Sequence, residues 1–197
     1  MDINSYILSM LQVKKEAAPP YIGRRKNTTR ESVLTEIFTN LGYTVGAEIG
    51  VQRGYFSKAM LENVPNLKMY CVDPWEPYTN VRDANRQERH YEICKANLSG
   101  LNAEIIRKTS HDALDDFKDG SLDFVYIDGL HDFDNVMFDI MHWARKVKVG
   151  GIVSGHDYFY YHGVGVIFAV EAYTRAHHII HYYITKEYPP SWFWPKL

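Results

Sequence analysis

Short apolar runs alternate with segments of helical periodicity along most of this chain. The apolar runs occupy residues 44–51, 67–73, 103–109, 122–128 and 151–158. The helical segments between and after them occupy residues 30–43, 55–64, 80–99, 132–147 and 164–176. Because the apolar runs are short and do not alternate with polar residues, they predict strands that are buried on both faces.

Strands that alternate with helices favour an α/β fold with a mostly parallel sheet covered by a layer of helices on each face. Two further β-rich runs, residues 178–188 and 191–197, are separated by Pro189 and Pro190. Such a short proline connection predicts an antiparallel pair at the end of the chain. The pattern therefore predicts a three-layer α/β domain with a seven-stranded sheet.

Composition narrows the class of protein further. The chain has 197 residues, 46% of them hydrophobic, and a formal net charge of -2. This balance gives no reason to expect a nucleic acid or a membrane surface as a partner. The only cysteines, Cys71 and Cys94, make neither a disulfide framework nor a metal cluster. With no basic and apolar leader pattern and no long apolar run, we expect a cytoplasmic protein.

Residues 1–29 precede the alternating pattern and are interpreted as an N-terminal arm or lid, with residues 30–197 as the main domain. A basic group is found near the boundary, formed by Arg24, Arg25, Lys26 and Arg30. This group is either a solvated face or a clamp for an anionic part of a substrate. The aromatic C-terminus is a candidate surface for a homodimer.

Polar side chains follow each of the first five predicted strands. They are Glu48 with Gly50, then Asp73, then Ser110 with His111, then Asp128 with His131, and finally His156 with Asp157. In sheets of this type, ligands bind beyond the carboxyl ends of the strands. The sequence therefore predicts a functional site along this edge.

The first two strand ends indicate the kind of ligand. Gly50 and Gly54 follow Glu48, and the acid Asp73 comes about 20 residues later at the end of the next strand. An acid at that position suits the two hydroxyls of a ribose. The glycines do not have the spacing of a pyrophosphate-binding turn, so a nucleoside without a pyrophosphate fits better. The alternative for Glu48 and Gly50 alone is an ordinary strand-to-helix turn.

With these motifs the sequence resembles the class I S-adenosylmethionine-dependent methyltransferases over roughly residues 30–197. The stretch "GAEIGVQRG" is similar to their first motif and "CVDPW" to their second. The segments "SLDFVYIDGLHDFDNV", "KVKVGGIVSGHDY" and "PSWFWPKL" resemble a bacterial and phage-type subgroup. The resemblance implies a Rossmann-like methyltransferase fold. Gln52 is a departure, because many members have a glycine there, and it predicts a less open loop.

The resemblance also implies a set of residues that bind S-adenosylmethionine. These are Glu48, Gly50, Gly54, Asp73, Trp75, Ser110, His111 and Asp128. Gly50 would admit the cofactor close to the backbone, Glu48 would orient its amino end, and Asp73 would hold the ribose hydroxyls. Trp75 and the turn at 110–111 would flank the adenine, with Asp128 near the reacting methyl group.

The acceptor chemistry depends on how a proton is removed. An oxygen acceptor needs a general base or a metal that lowers its pKa. The layout is similar to that of catechol-type O-methyltransferases, with His131 in place of a lysine base and His156–Asp157 in place of an acid–amide pair. Asp128, His131 and His156 are therefore the candidate catalytic residues. Asp128, Asp157 and His156 are candidate ligands for Mg²⁺ or another divalent ion.

Alternatives remain for these residues and for the function. His131 could cap the following helix, and Asp157 could be a turn residue. We expect O-methylation of a small hydroxylated molecule, of sugar or natural-product type, with or without a divalent ion. N-methylation and a non-catalytic nucleoside-binding protein are the alternatives. A nicotinamide-dependent dehydrogenase is disfavoured, because the pyrophosphate glycines are missing.

Overall fold

The computed structural model describes residues 2–14, 17–77 and 84–197. Within these ranges, eight strands form one sheet: β1 Tyr21–Ile22, β2 Val45–Ile49, β3 Lys68–Val72, β4 Ala103–Ile106, β5 Leu122–Ile127, β6 Val147–Gly155, β7 Tyr183–Ile184 and β8 Trp192–Pro195. The described helices are α1 Ile3–Met10, α2 Arg30–Asn40, α3 Tyr55–Asn63, α4 Ala84–Leu98, α5 Phe133–Lys146 and α6 Val166–Ala176.

The sheet has the strand order β1-β7-β8-β6-β5-β2-β3-β4. All neighbouring strands are parallel except β8, which is antiparallel to both β6 and β7. The predicted fold class is therefore confirmed, including the antiparallel C-terminal pair. The sheet has one strand more than predicted, because residues from the N-terminal segment add β1 at its edge.

Each face of the sheet carries its own hydrophobic core. Along β5, Phe124 belongs to one buried cluster and Val125 to the other, as the two-residue period of a strand requires. The first cluster includes Leu34 of α2, and the second includes Trp143 of α5. The helices thus form two outer layers. A site can form between these layers, at the carboxyl ends of the strands.

The described part of residues 1–29 is packed with the rest of the domain rather than extended as an arm. Ile7 and Leu11 are 0% and 1% exposed and belong to the first core cluster. The hydroxyl of Tyr183 donates to Asn4 Oδ1 at 2.9 Å, and β1 pairs with β7. The apolar side chains of Ile7 and Leu11 are one helical turn apart, so both can face the core, and this makes the packing favourable.

Two further points concern individual elements. Residues 80–83 of the predicted helix 80–99 lie outside the described residues, and α4 is described from Ala84 onward. Helix α5 begins after Asp132, whose carboxylate caps it by accepting from the backbone N–H of Asn135 at 3.1 Å. Among the helices of the described ranges, none is both long enough and apolar enough to cross a membrane.

Candidate functional site

A cavity of about 680 Å³ opens at the carboxyl edge of the sheet, where β2, β3, β5 and β6 end. Its ionisable lining includes the acids Glu48, Asp73, Asp128 and Asp139 and the basic groups Arg30, Arg53, His111, His131 and His156. A volume of this size suits a ligand of cofactor dimensions. The predicted location of the site at this edge is therefore reproduced by the fold.

The turn after β2 brings two strand ends together at Gly50. Its φ is +90°, and a Cβ at this position would lie 2.2 Å from the carbonyl oxygen of Asp128. Only glycine fits here, because any side chain would collide with backbone rather than with a movable group. Gly50 lines the cavity as predicted, but the close approach that the structure shows is to the end of β5.

Asp73 fixes the shape of this turn from the neighbouring strand. Its Oδ2 accepts from the backbone N–H of Gln52 at 2.9 Å, and its Oδ1 accepts from the backbone N–H of Trp75 at 2.7 Å. The indole N–H of Trp75 donates in turn to the carbonyl oxygen of Gln52 at 2.7 Å. Asp73 therefore lies on the cavity wall in a fixed orientation.

Two predictions for this turn need correction. Trp75 is only 2% exposed and is not part of the cavity lining; it braces the turn from behind instead of flanking a ligand. Gly54 is also off the cavity wall: a Cβ there would meet Cys94 Sγ at 3.1 Å, so its role is packing against α4. Gln52 has a φ of +52°, the left-handed conformation that glycine takes easily, and it lines the cavity with an exposed side chain.

Glu48 is the most deeply buried acid of the site, at 2% exposure. Burial raises the pKa of its carboxyl to about 8, although hydrogen bonds from Ser57 oppose the shift. Oε2 accepts from the backbone N–H of Ser57 at 3.1 Å and also from its hydroxyl. A carboxyl held in this way favours a cationic ligand group beside it, because that group would stabilise its charged form.

The ends of β5 and β6 bring two acids and two histidines together. His131 Nε2 lies 2.8 Å from Asp157 Oδ2 and 3.4 Å from Asp128 Oδ1. His156 Nδ1 lies 3.3 Å from Asp157 Oδ1 and 3.6 Å from Asp128 Oδ2. His156 Nε2 lies 3.1 Å from the carbonyl oxygen of Pro189, to which it can donate. The four residues that the sequence marked at these two strand ends therefore form one cluster.

The charged groups of this cluster stabilise one another. Hydrogen bonds to Asp128 and Asp157 raise the pKa of His131 to about 9, so the ring is mostly protonated at neutral pH. Burial alone would raise the pKa of Asp128, but hydrogen bonds from His131 and His156 hold it below its usual value. Asp157 has a φ of +59° and supports His131 from behind the cavity wall.

Arg30 was predicted only as part of the basic N-terminal group, and the structure places it in the cavity. Its NH1 lies 3.7 Å from Asp128 Oδ2, and its guanidinium lies 5.8 Å from the ring centres of Phe56 and Tyr126. Arg24 and Lys26 are exposed, and Arg25 pairs with Glu36. No pattern in the sequence distinguishes Arg30 from these neighbours. Its side chain reaches the cavity because Arg30 is the first residue of α2.

The turn after β4 and helix α5 form a further part of the cavity wall. Ser110 and His111 line it as predicted, together with Phe138 and Asp139. The His111 and Phe138 rings lie 5.3 Å apart, and both could contact a planar ligand group. Asp139 was missed, because it falls in the middle of an amphipathic helix where a single acid is usually on the solvent face.

The predicted metal ligands are partly supported by this geometry. Asp128, His131 and Asp157 each offer one ligand atom, and these atoms lie within 4.8 Å of one another. Two carboxylates and an imidazole suit Mn²⁺ or Zn²⁺ better than Mg²⁺. His131 thus replaces the predicted His156 in this group, although His156 adjoins the same carboxylates. The residues present therefore fit a divalent ion in their chemistry.

Comparison with known proteins identifies relatives on two levels. A family model described as a methyltransferase domain matches residues 47–158. An uncharacterized protein of Sinorhizobium fredii is 27% identical over 114 residues. That match covers 56% of this chain and 12% of the relative, so the chain spans only a small part of the curated protein it matches.

Solved structures with the same fold are similar over nearly the whole chain. A putative caffeoyl-CoA O-methyltransferase from Staphylococcus aureus has a TM-score of 0.64 at 12% identity, covering 100% of this chain and 93% of that one. An O-methyltransferase from Bacillus cereus in complex with SAH has a TM-score of 0.63 at 14% identity, covering 98% and 90%. A putative O-methyltransferase from Klebsiella pneumoniae has a TM-score of 0.63 at 13% identity, covering 100% and 91%.

The low identities mean that these structures establish the fold alone. The family model carries more, because its range runs from β2 to the end of β6 and includes Glu48, Asp73, Asp128 and Asp157. This range is more than half of the chain and contains most of the cavity wall. The chain belongs to the family of proteins with this methyltransferase domain.

Proposed function

We propose that this protein is an S-adenosylmethionine-dependent methyltransferase that methylates a hydroxyl group of a small molecule. The observation that carries this proposal is the set of three acids, Glu48, Asp73 and Asp128, along one wall of the cavity. The ammonium group of an amino-acid tail, the hydroxyls of a ribose and a sulfonium would each interact favourably with an acid. The similar O-methyltransferase folds support it, including the Bacillus cereus protein in complex with SAH.

The chain's own residues fit such a cofactor. Asp73 is oriented by two backbone N–H groups and would accept from the ribose hydroxyls. Glu48 would face the ammonium group, and Arg30 is the nearby cation that could pair with the carboxylate of the same ligand. When bound, S-adenosylmethionine supplies an electrophilic methyl group on a positively charged sulfur. Asp128 would stabilise that charge.

Catalysis would depend on positioning and on one proton transfer. Methyl transfer requires the acceptor oxygen and the methyl group in line, in a site from which water is excluded. His131 is partly exposed at the cavity wall, so it can reach an acceptor hydroxyl, while Asp157 holds its ring. In its neutral form His131 would take the hydroxyl proton. Asp128 and Asp157 would stabilise the imidazolium that results.

We favour this metal-free proton transfer because Arg30 and the protonated His131 already supply positive charge beside Asp128 and Asp157. Metal assistance is a second candidate, supported by the ligand atoms that Asp128, His131 and Asp157 bring together. A divalent ion held there would lower the pKa of the acceptor hydroxyl. Its binding would displace the proton from His131, so metal affinity should increase with pH.

Turnover on a panel of acceptors tests the proposal. The purified protein is incubated with S-adenosylmethionine and hydroxylated sugars, phenols and matched amines, and S-adenosylhomocysteine release is measured with and without a chelator. We expect release that depends on a hydroxylated acceptor and survives the chelator. Loss of activity in the chelator, restored by Mn²⁺ or Mg²⁺, would establish the metal-assisted alternative. Turnover with amines alone would indicate N-methylation.

A further inference from the structure

Two segments at the carboxyl edge of the sheet carry aromatic rings to which the proposed methyl transfer assigns no role. The loop 158–165 follows β6 and carries Phe159, Tyr160 and Tyr161. The turn 185–191 joins β7 to β8 and carries Tyr188. Because β8 is antiparallel to both β6 and β7, those two strands run in the same direction. The loop and the turn therefore lie at the same edge of the sheet as the cavity.

Hydrogen bonds tie both segments to the candidate base and its neighbours. At the end of the loop, the backbone N–H of Gly165 donates to the carbonyl oxygen of His131 at 2.7 Å. In the turn, the carbonyl oxygen of Pro189 lies 3.1 Å from His156 Nε2. The aromatic rings are thus held beside the part of the cavity wall that His131 and His156 form.

Three of the rings form one group, the aromatic rim, which consists of Phe159, Tyr161 and Tyr188. The ring centre of Phe159 lies 6.2 Å from that of Tyr161 and 5.5 Å from that of Tyr188. Tyr161 and Tyr188 are 70% and 79% exposed. Tyr160 is outside this group, because its ring lies 5.9 Å from that of Phe168 on α6. Large aromatic side chains that are grouped and open to water beside a site indicate a binding surface.

The chemistry of the rim indicates the class of ligand. The loop 158–165 contains no Asp, Glu, Lys or Arg, so it offers no ion-pair partner to a charged acceptor. The rings of Tyr161 and Tyr188 are inclined at 44° and 56° to that of Phe159, so the three form no parallel slot for a flat aromatic molecule. Separately exposed ring faces suit the C–H face of a sugar, whose hydroxyls can then bond to water or to the tyrosine hydroxyls.

We propose that the aromatic rim is an acceptor subsite for a carbohydrate, so that the methyl acceptor is a sugar or a glycoside rather than a phenol. The inference rests on the proposed function, since it names the acceptor of the same site. A sugar packed on Tyr161 or Tyr188 would be anchored outside the cavity with one hydroxyl directed toward His131. That oxygen forms the new C–O bond as the C–S bond of the cofactor breaks, and its proton passes to His131.

Saturation-transfer NMR on the protein saturated with S-adenosylhomocysteine tests the subsite. The probes are the methyl glycosides of glucose, galactose, rhamnose and N-acetylglucosamine, with catechol and p-cresol for comparison. We expect saturation of the ring C–H protons of at least one glycoside, with affinity about 5- to 20-fold lower in Tyr161→Ala and in Tyr188→Ala. Tyr161→Phe keeps the ring face and should bind within about threefold of the unaltered protein.

Tyr160→Ala is the matched control, because Tyr160 is similarly exposed in the same loop but contacts Phe168 instead of Phe159. It should leave the affinity unchanged. Glycoside binding that survives both alanine variants, binding of catechol or p-cresol alone, or no glycoside binding would overturn the inference alone. A dimer that the alanine variants dissociate in sedimentation velocity would also overturn it, since the rim would then join two copies. Failure of the unaltered protein to bind S-adenosylhomocysteine would overturn the proposed function as well.

Discussion

At the scale of single residues, Glu48 is the side chain whose protonation should report ligand binding. Its carboxyl has a pKa of about 8 because of burial, so it is mostly protonated at pH 7. A cationic ligand group beside it favours the charged form. Binding of S-adenosylhomocysteine at pH 7 should therefore release a proton from Glu48. Calorimetry in two buffers of different ionisation enthalpy measures this release.

Glu48→Gln is the control for that experiment, because it keeps the shape of the side chain and removes the proton. We expect the variant to bind S-adenosylhomocysteine more weakly than the unaltered protein. The number of protons released per site should be smaller in the variant, and the difference should approach one. Equal proton release in the two proteins would show that Glu48 does not ionise on binding.

His131 gives a second prediction at this scale, for the pH profile of activity. Its pKa is raised to about 9 by Asp128 and Asp157, and only the neutral ring can accept a proton. The value of kcat/KM, which reports the free enzyme, should therefore increase with pH up to about 9 and then level off. His131→Asn should lower activity by about 10²- to 10⁴-fold and remove this dependence. A profile that is flat between pH 6 and 9 would exclude His131 as the base.

The residues that sequence alone could place are those at or directly after the carboxyl end of a strand. Glu48, Asp73, Asp128 and His156 are predictable because the carboxyl ends of parallel strands share one edge. Arg30 and Asp139 are not, because both lie within helices whose rotation toward the cavity depends on packing against the sheet. Trp75 shows the converse: it follows a strand closely, and yet its indole donates to the carbonyl oxygen of Gln52 and does not line the cavity.

At the scale of elements, the turn between β2 and α3 joins cofactor binding to the fold itself. Gly50→Ala places a methyl group against the backbone of Asp128, at a φ of +90°. We expect it to lower the free energy of unfolding and to abolish cofactor binding. Gly100→Ala is a matched control with a φ of +77° and open space around it. It should cost only about 1 kcal/mol, and the Gly50 variant about 1–3 kcal/mol more.

Urea unfolding measures both variants. Equal destabilisation at the two glycines would mean that Gly50 contributes only its own backbone conformation, and that the contact with β5 is not required.

The apolar runs predicted strands β2 and β5 correctly, since burial on both faces leaves a continuous apolar signal in the sequence. The contact between this turn and β5 joins residues far apart in sequence, and no local pattern encodes it.

At the scale of the whole molecule, the described part of the N-terminal segment is an integral part of the core and of the sheet. Residues 1–29 carry too few apolar positions for a strong periodic signal, yet Ile7 and Leu11 complete the first core cluster and β1 extends the sheet. The two-residue strand β1 is too short for any sequence pattern and forms by pairing with β7, which lies in the predicted β-rich run 178–188. Of the basic group at the end of this segment, Arg30 is the residue that lines the cavity.

The central claim is that this edge of the sheet binds S-adenosylmethionine through Asp73. The most direct measurement is calorimetric titration of S-adenosylhomocysteine and NAD into the unaltered protein and into Asp73→Ala, with Glu104→Ala, an exposed acid at the edge strand β4, as the control. We expect S-adenosylhomocysteine to bind and NAD not to, with affinity about 10- to 100-fold lower in Asp73→Ala and unchanged in Glu104→Ala. No binding of S-adenosylhomocysteine, or equal affinity in Asp73→Ala, would contradict the claim.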